Sequence, residues 1–117
     1  MSREVRPGKL HHASIRVADL ERSRRFYEGL LGFRRAPRPD MGFPGEWYGL
    51  GDGQLHLIAL PKMGEGIDPS DPHFAVEVED FDATKAALEA AGVAFVELPG
   101  ALWIRDPDGY TIELRQR

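Results

Sequence analysis

The chain states one pattern twice, 61 residues apart. His12-Ala13-Ser14-Ile15-Arg16-Val17-Ala18-Asp19-Leu20-Glu21 aligns with His73-Phe74-Ala75-Val76-Glu77-Val78-Glu79-Asp80-Phe81-Asp82. Each copy opens on a histidine, alternates apolar and polar side chains as a half-buried strand does, and then places an aspartate where a helix needs an N-cap. A half of roughly 50 residues is too small to build a generous core alone, so the two halves must share one. At 117 residues the chain suits one domain.

Glycine and proline punctuate the rest. After Asp19, Leu20, Phe26, Tyr27, Leu30 and Leu31 recur at helical spacing until Gly32, and Phe26 and Tyr27 are expected in the core. Residues 33–35 read as a short strand. Residues 46–50 and 54–60 read as a hairpin around Gly51-Asp52-Gly53. In the second copy, Phe81, Thr84, Leu88 and Ala91 mark a helix face that Gly92 ends. Strands follow at 93–97, 101–105 and 110–115, the last two joined by Asp106-Pro107-Asp108-Gly109. Residues 36–45 and 61–72 are too rich in glycine and proline for regular structure and are candidate lids. The expected fold is therefore α+β: strand–helix–strand–strand–strand twice, as a module 10–60, a linker 61–72 and a module 73–115 within a single domain 1–117.

Fifteen basic against nineteen acidic side chains give a net charge of −4, with no long basic run, which argues against nucleic acid as a partner. No apolar run approaches the roughly 20 residues of a membrane helix. The first eight residues lack the apolar region of a secretory leader, so the cytoplasm is the expected compartment. Cysteine is absent, which excludes disulfides, zinc ribbons and thiol catalysis.

Strand alternation sorts the polar side chains. If Ala13, Ile15 and Val17 face the helices, then His12, Ser14 and Arg16 share the opposite face. The same argument puts His73, Ala75 and Glu77, then Thr111, Glu113 and Arg115, then Gln54, His56, Ile58 and Leu60, and finally Trp103 and Arg105 on that face. Three of the four histidines, with Glu113, thus lie on one side of the sheet. Such residues are common on solvated strands; on a curled sheet they would converge as ligands for a first-row divalent metal. Periodicity leaves both open. His11 has the other parity and reads as an edge or helix-packing residue.

Three motifs resemble one known family. They are Leu10-His-His-Ala-Ser-Ile-Arg-Val-Ala-Asp-Leu-Glu-Arg-Ser-Arg-Arg-Phe-Tyr-Glu-Gly-Leu-Leu-Gly-Phe33, His73-Phe-Ala-Val-Glu-Val-Glu-Asp80 and Arg105-Asp-Pro-Asp-Gly-Tyr-Thr-Ile-Glu-Leu114. In that order they are similar to the vicinal oxygen chelate superfamily, which includes glyoxalase I, methylmalonyl-CoA epimerase, bleomycin-resistance proteins and extradiol dioxygenases. The resemblance implies paired βαβββ modules forming a cupped mixed sheet around one divalent metal (Zn, Ni, Mn or Fe), with His12, His73 and Glu113 as ligands. His56 matches the variable fourth position, where glyoxalase I-like members carry Glu or Gln. It is either a ligand or an acid–base residue, and Glu113 and His56 are the expected catalytic residues.

The resemblance further implies a small substrate that chelates the metal through two oxygens, in a lyase, isomerase or dioxygenase reaction. Arg16, Arg105 and Arg115 share the cup-facing parity and are candidates to hold an anionic substrate. Trp103, Trp47 and Tyr48 are candidates to line an apolar pocket. A homodimer is implied, often with each site assembled from modules of two chains. The alternative is a metal-free drug- or metabolite-binding protein of the bleomycin-resistance type.

Overall fold

A computed structural model describes residues 4–61, 64–105, 107 and 109–117. The leader reading of the first residues, part of the 61–72 linker, and Asp106 and Asp108 of the Asp-Pro-Asp-Gly turn lie outside the described residues. Eight strands form one sheet: β1 (Pro7–Arg16), β2 (Arg34–Arg35), β3 (Gly45–Leu50), β4 (Gly53–Ile58), β5 (His73–Val78), β6 (Val96–Leu98), β7 (Ala101–Arg105) and β8 (Thr111–Gln116). Their order is β2-β3-β4-β1-β5-β8-β7-β6, so the second half repeats the first in mirror sequence about the central pair. Within each half the first and last strands run parallel, β1 with β4 and β5 with β8. The halves meet where β1 and β5 pair antiparallel. This is the sheet of two βαβββ modules, edge to edge.

Each first strand leads into a helix capped as the sequence predicts. Asp19 accepts the backbone N–H of Arg22 at 3.1 Å, and Asp80 accepts that of Ala83 at 2.9 Å. Gly32 (φ +72°) and Gly92 (φ +69°) take the left-handed turn that follows each helix, a conformation that costs other residues energy. The helix α2 (Phe81–Ala90) covers a core of Val78, Leu88, Leu102 and Leu114, with Val93 and Phe95 packed against it. Those two residues serve the core as an extended approach; the strand itself begins three residues later than alternation alone indicates.

The first helix departs from its expected form. Only Leu20–Arg24 is α-helical (α1); Arg25–Leu30 widens into a π-helical turn, and neither part buries a residue fully. Phe26, expected in the core, is 49% exposed. The wider turn shifts the periodicity, and Tyr27 instead packs on Phe33 and Tyr48 at ring separations of 5.5 and 6.0 Å. Among the described residues, no helix is long and apolar enough to cross a membrane.

Candidate metal centre

Two cross-strand rows build the site. One runs Gln54 (β4), His12 (β1), Ala75 (β5), Glu113 (β8), Trp103 (β7). The next runs Trp47 (β3), His56 (β4), Ser14 (β1), His73 (β5), Thr111 (β8). Because alternate residues share a face, both rows project to the same side of the sheet. His12, Ser14, His56, His73, Thr111 and Glu113 are all buried there.

Three of these residues converge. His12 Nε2 lies 3.1 Å from His73 Nε2, and Glu113 Oε1 lies 3.4 Å from the former and 3.3 Å from the latter. All three atoms come from one chain, two from the second module and one from the first. Ligand atoms about 2.1 Å from a tetrahedral or octahedral ion are roughly 3.0–3.4 Å apart, so the triangle has the size of one face of a coordination shell.

The protonation pattern has the same consequence. His73 Nδ1 is 2.6 Å from the carbonyl oxygen of Asp71, which can only accept, so Nδ1 carries a proton and Nε2 is the ring nitrogen that points inward. His12 Nδ1 lies 2.8 Å from His11 Nδ1; donation to His11 leaves His12 Nε2 bare. Burial lowers the pKa of His12, outweighing the raising effect of the Glu113 carboxylate, and so favours the neutral imidazole. Burial acts to raise the Glu113 pKa, but the contacts with His12 and His73 and the charge of Arg115 outweigh it and hold the carboxyl well below its usual range. Two imidazole nitrogens and a carboxylate oxygen within 3.4 Å of one another need a proton or a cation among them. The residues present therefore fit a divalent ion.

His56 stands beside this group and outside it. Its ring stacks on His12 at 3.8 Å and on Trp47 at 4.0 Å, the latter within 3° of parallel. Its Nε2 bonds Gln54 Oε1 at 2.8 Å, and since an amide oxygen only accepts, Nε2 carries the proton and Nδ1 the lone pair. Burial first, and then the neighbouring His12, push the His56 pKa down to about 2.

The arginines separate. Arg115 stays at the site, with Nη1 on Glu113 Oε2 at 2.9 Å. Arg16 instead grips the linker: it donates to the Leu60 carbonyl, to Asp71 Oδ1 at 3.0 Å and to Ser70 Oγ at 3.3 Å. Arg105 turns to the carbonyl of Gly66. A cavity of about 570 Å³ opens over the converging atoms, lined by Trp47, Trp103 and Arg115 among others, but by neither Arg16 nor Arg105. Tyr48 lies fully buried on the opposite side, where its hydroxyl donates to Glu28 at 2.8 Å. Adjacent strand residues face opposite ways, so Trp47 and Tyr48 could not both line the cup.

Alternation missed His11. The register of β1 shifts between Leu10 and His12, and this bulge turns His11 toward its neighbour. The orienting carbonyl of Asp71 was equally invisible, because it belongs to the backbone.

Comparison with known proteins agrees with the geometry. The family model described as "Glyoxalase/Bleomycin resistance protein/Dioxygenase superfamily" matches residues 9–114. The chain is 32% identical to "Glyoxylase I 4" of Arabidopsis thaliana, over 90% of this chain and 68% of that protein. It is 30% identical to "Lactoylglutathione lyase" of Haemophilus influenzae, over 87% of each. Two further plant relatives are longer, and the chain spans 36% and 43% of them. Among solved structures, methylmalonyl-CoA epimerase from Mycobacterium tuberculosis shares the fold with a TM-score of 0.66 at 24% identity, over 92% of this chain and 86% of that one. With a repeated βαβββ sheet, a His–His–Glu group in its cup and a family match across nearly its whole length, the chain belongs to the glyoxalase/bleomycin resistance protein/dioxygenase superfamily.

Proposed function

We propose that the protein is a divalent-metal-dependent enzyme of the lyase or isomerase type, with His12, His73 and Glu113 as the metal's protein ligands. The observation that carries this reading is the convergence of their three inward atoms within 3.4 Å. Relatives named as lactoylglutathione lyases support the reaction class. When bound, the ion acts as a Lewis acid toward a substrate offering two adjacent oxygens. The chain's own residues do the rest. Asp71 and His11 hold the two imidazoles in the ligating tautomer. Arg115 holds the second oxygen of Glu113 and leaves the first for the ion. His56, fixed by Gln54, keeps its Nδ1 lone pair beside the group as a hydrogen-bond acceptor. The stacked rings and the apolar cavity wall keep water from competing. A drug-sequestering protein would have no use for three buried lone-pair atoms aimed at one point.

Protein purified without chelator is expected to carry close to one divalent ion per chain by elemental analysis. Metal at 100 times its dissociation constant stabilises a fold by about 2.7 kcal/mol. Stripping it should therefore lower the melting temperature on the order of 10 °C. A protein that takes up no metal on titration and ignores chelator is not this enzyme.

Arg16 acts at one remove, as a positioning residue. It pins Asp71, and the Asp71 carbonyl orients His73. Arg16→Ala is expected to weaken metal affinity about 10–100-fold, the usual cost of losing an outer partner of a ligand. Arg16→Lys should recover part of it. Equal melting temperatures of the metal-free forms would separate this from general destabilisation.

A further inference from the structure

We infer that the substrate of this site is a largely apolar molecule with two adjacent oxygens and at most one negative charge, and that glutathione conjugates are excluded. The inference rests on the metal reading above and concerns what lies beyond the chelating oxygens.

The cavity wall is the first ground. Met41 and Phe43 come from the broken segment 36–45, Leu60 and Pro69 from the segment after β4, and Trp47 and Trp103 from the two modules. These side chains gain by covering hydrocarbon. In the Trp47–His56–His12 stack the rings lie 3.8–4.0 Å apart and cover one another's faces, so the stack adds a fixed aromatic block to this wall. Trp103 closes the other flank, its ring edge-on to His73 at 4.7 Å.

Charge is the second ground. The tail of glutathione carries two carboxylates and an ammonium, and each must find a partner when it leaves water. Among the described lining residues the permanent cation is Arg115, already bonded to Glu113. Asp68 and Glu113 add negative charge to the same wall. Three further arginines are turned to protein acceptors: Arg16 to Leu60 and Asp71, Arg38 to the Phe43 carbonyl at 2.8 Å, and Arg105 to Gly66. Among the described residues, two carboxylates would meet one committed guanidinium. The remaining face of Arg115 accommodates one anionic group. Size does not decide the matter, because about 570 Å³ would hold either kind of molecule.

The orphaned polar atoms agree. Ser14 Oγ and Trp103 Nε1 belong to lining residues and are buried without a partner. Such atoms are rare in native structures, and an indole N–H can only donate. The group it lacks is an acceptor oxygen, which fits an oxygen-bearing ligand without choosing between the two kinds of molecule.

The test holds the chelating group constant and varies what is attached. Metal content is measured first. Then acetohydroxamate, benzohydroxamate and glutathione bearing the same hydroxamate on its sulfur are titrated by calorimetry into the metal-loaded protein. Benzohydroxamate is expected to bind at least 30-fold tighter than acetohydroxamate and at least 10-fold tighter than the glutathione compound. Leu60→Ala should narrow the first ratio with metal content unchanged. Full metal loading with the glutathione compound binding as tightly as benzohydroxamate, or with no gain from the phenyl ring, would overturn this inference and leave the metal reading standing. Failure to load metal would overturn both.

Discussion

His73→Ala is expected to abolish stoichiometric metal binding. Its Nε2 closes the triangle with His12 and Glu113, and its Nδ1 is anchored to Asp71, so no other imidazole among the described residues is placed to take over. The loss should exceed about 100-fold in affinity, more than the 10–100-fold that outer partners cost. His56→Ala is the informative companion. Its proton-bearing Nε2 is committed to Gln54 and its ring lies flat against His12, so removing it should leave metal content near that of the parent while activity falls. Elemental analysis of the two variants side by side checks both expectations. Metal lost from His56→Ala as completely as from His73→Ala would mean that His56 rotates into the shell, and that the ligand set numbers four.

The contrast between these two histidines shows what alternation can and cannot deliver. Strand parity places a side chain on a face, and it brought His12, His56, His73 and Glu113 to one side of the sheet together. It carries no information on which neighbours in a cross-strand row lean toward each other. That depends on the register of β1 with β4 and β5, and register depends on pairing across the whole sheet. The arginines show the same limit. Arg16 and Arg105 have cup-facing parity, yet at strand ends the long side chain reaches a nearby carbonyl, here that of Leu60 at the end of the first module and that of Gly66 in the segment between the modules. His11 escaped for a local reason, the bulge in β1. Phe26 did so because a π-helical turn breaks the 3.6-residue period on which its placement rested. The repeat itself was legible because it is written in the strands, caps and glycine stops that local sequence controls directly.

The central pairing also explains why a single chain brings the three proposed ligands together. His12 and Glu113 sit in one row with Ala75 between them, and the row crosses the β1–β5 junction that joins the modules. A site divided between modules is therefore assembled by the same hydrogen bonds that hold the domain together. Metal binding and module docking should be coupled: an ion held by His12, His73 and Glu113 would stabilise the junction, which is the physical basis of the chelator effect expected above.

The same row makes Ala75 the residue on which the cup depends without being a ligand. Its neighbours across the sheet are His12 on one side and Glu113 on the other, it shares their face, and it is fully buried. A methyl group there lets two longer side chains lean over it and meet. Ala75→Leu would place three more carbons between them. Overpacking of this kind costs about 1–3 kcal/mol in a well-packed interior, and here the added bulk falls where the ligand atoms must close to within 3.4 Å. The variant is expected to fold with a modestly lowered melting temperature yet to bind metal at least tenfold more weakly, with every ligand still present. Ala75→Gly, which removes bulk, should retain the metal. Elemental analysis and thermal denaturation of the metal-free proteins separate the two effects. If Ala75→Leu binds metal as the parent does, the ligands do not meet over this residue, and the proposed centre must be assembled elsewhere in the cup.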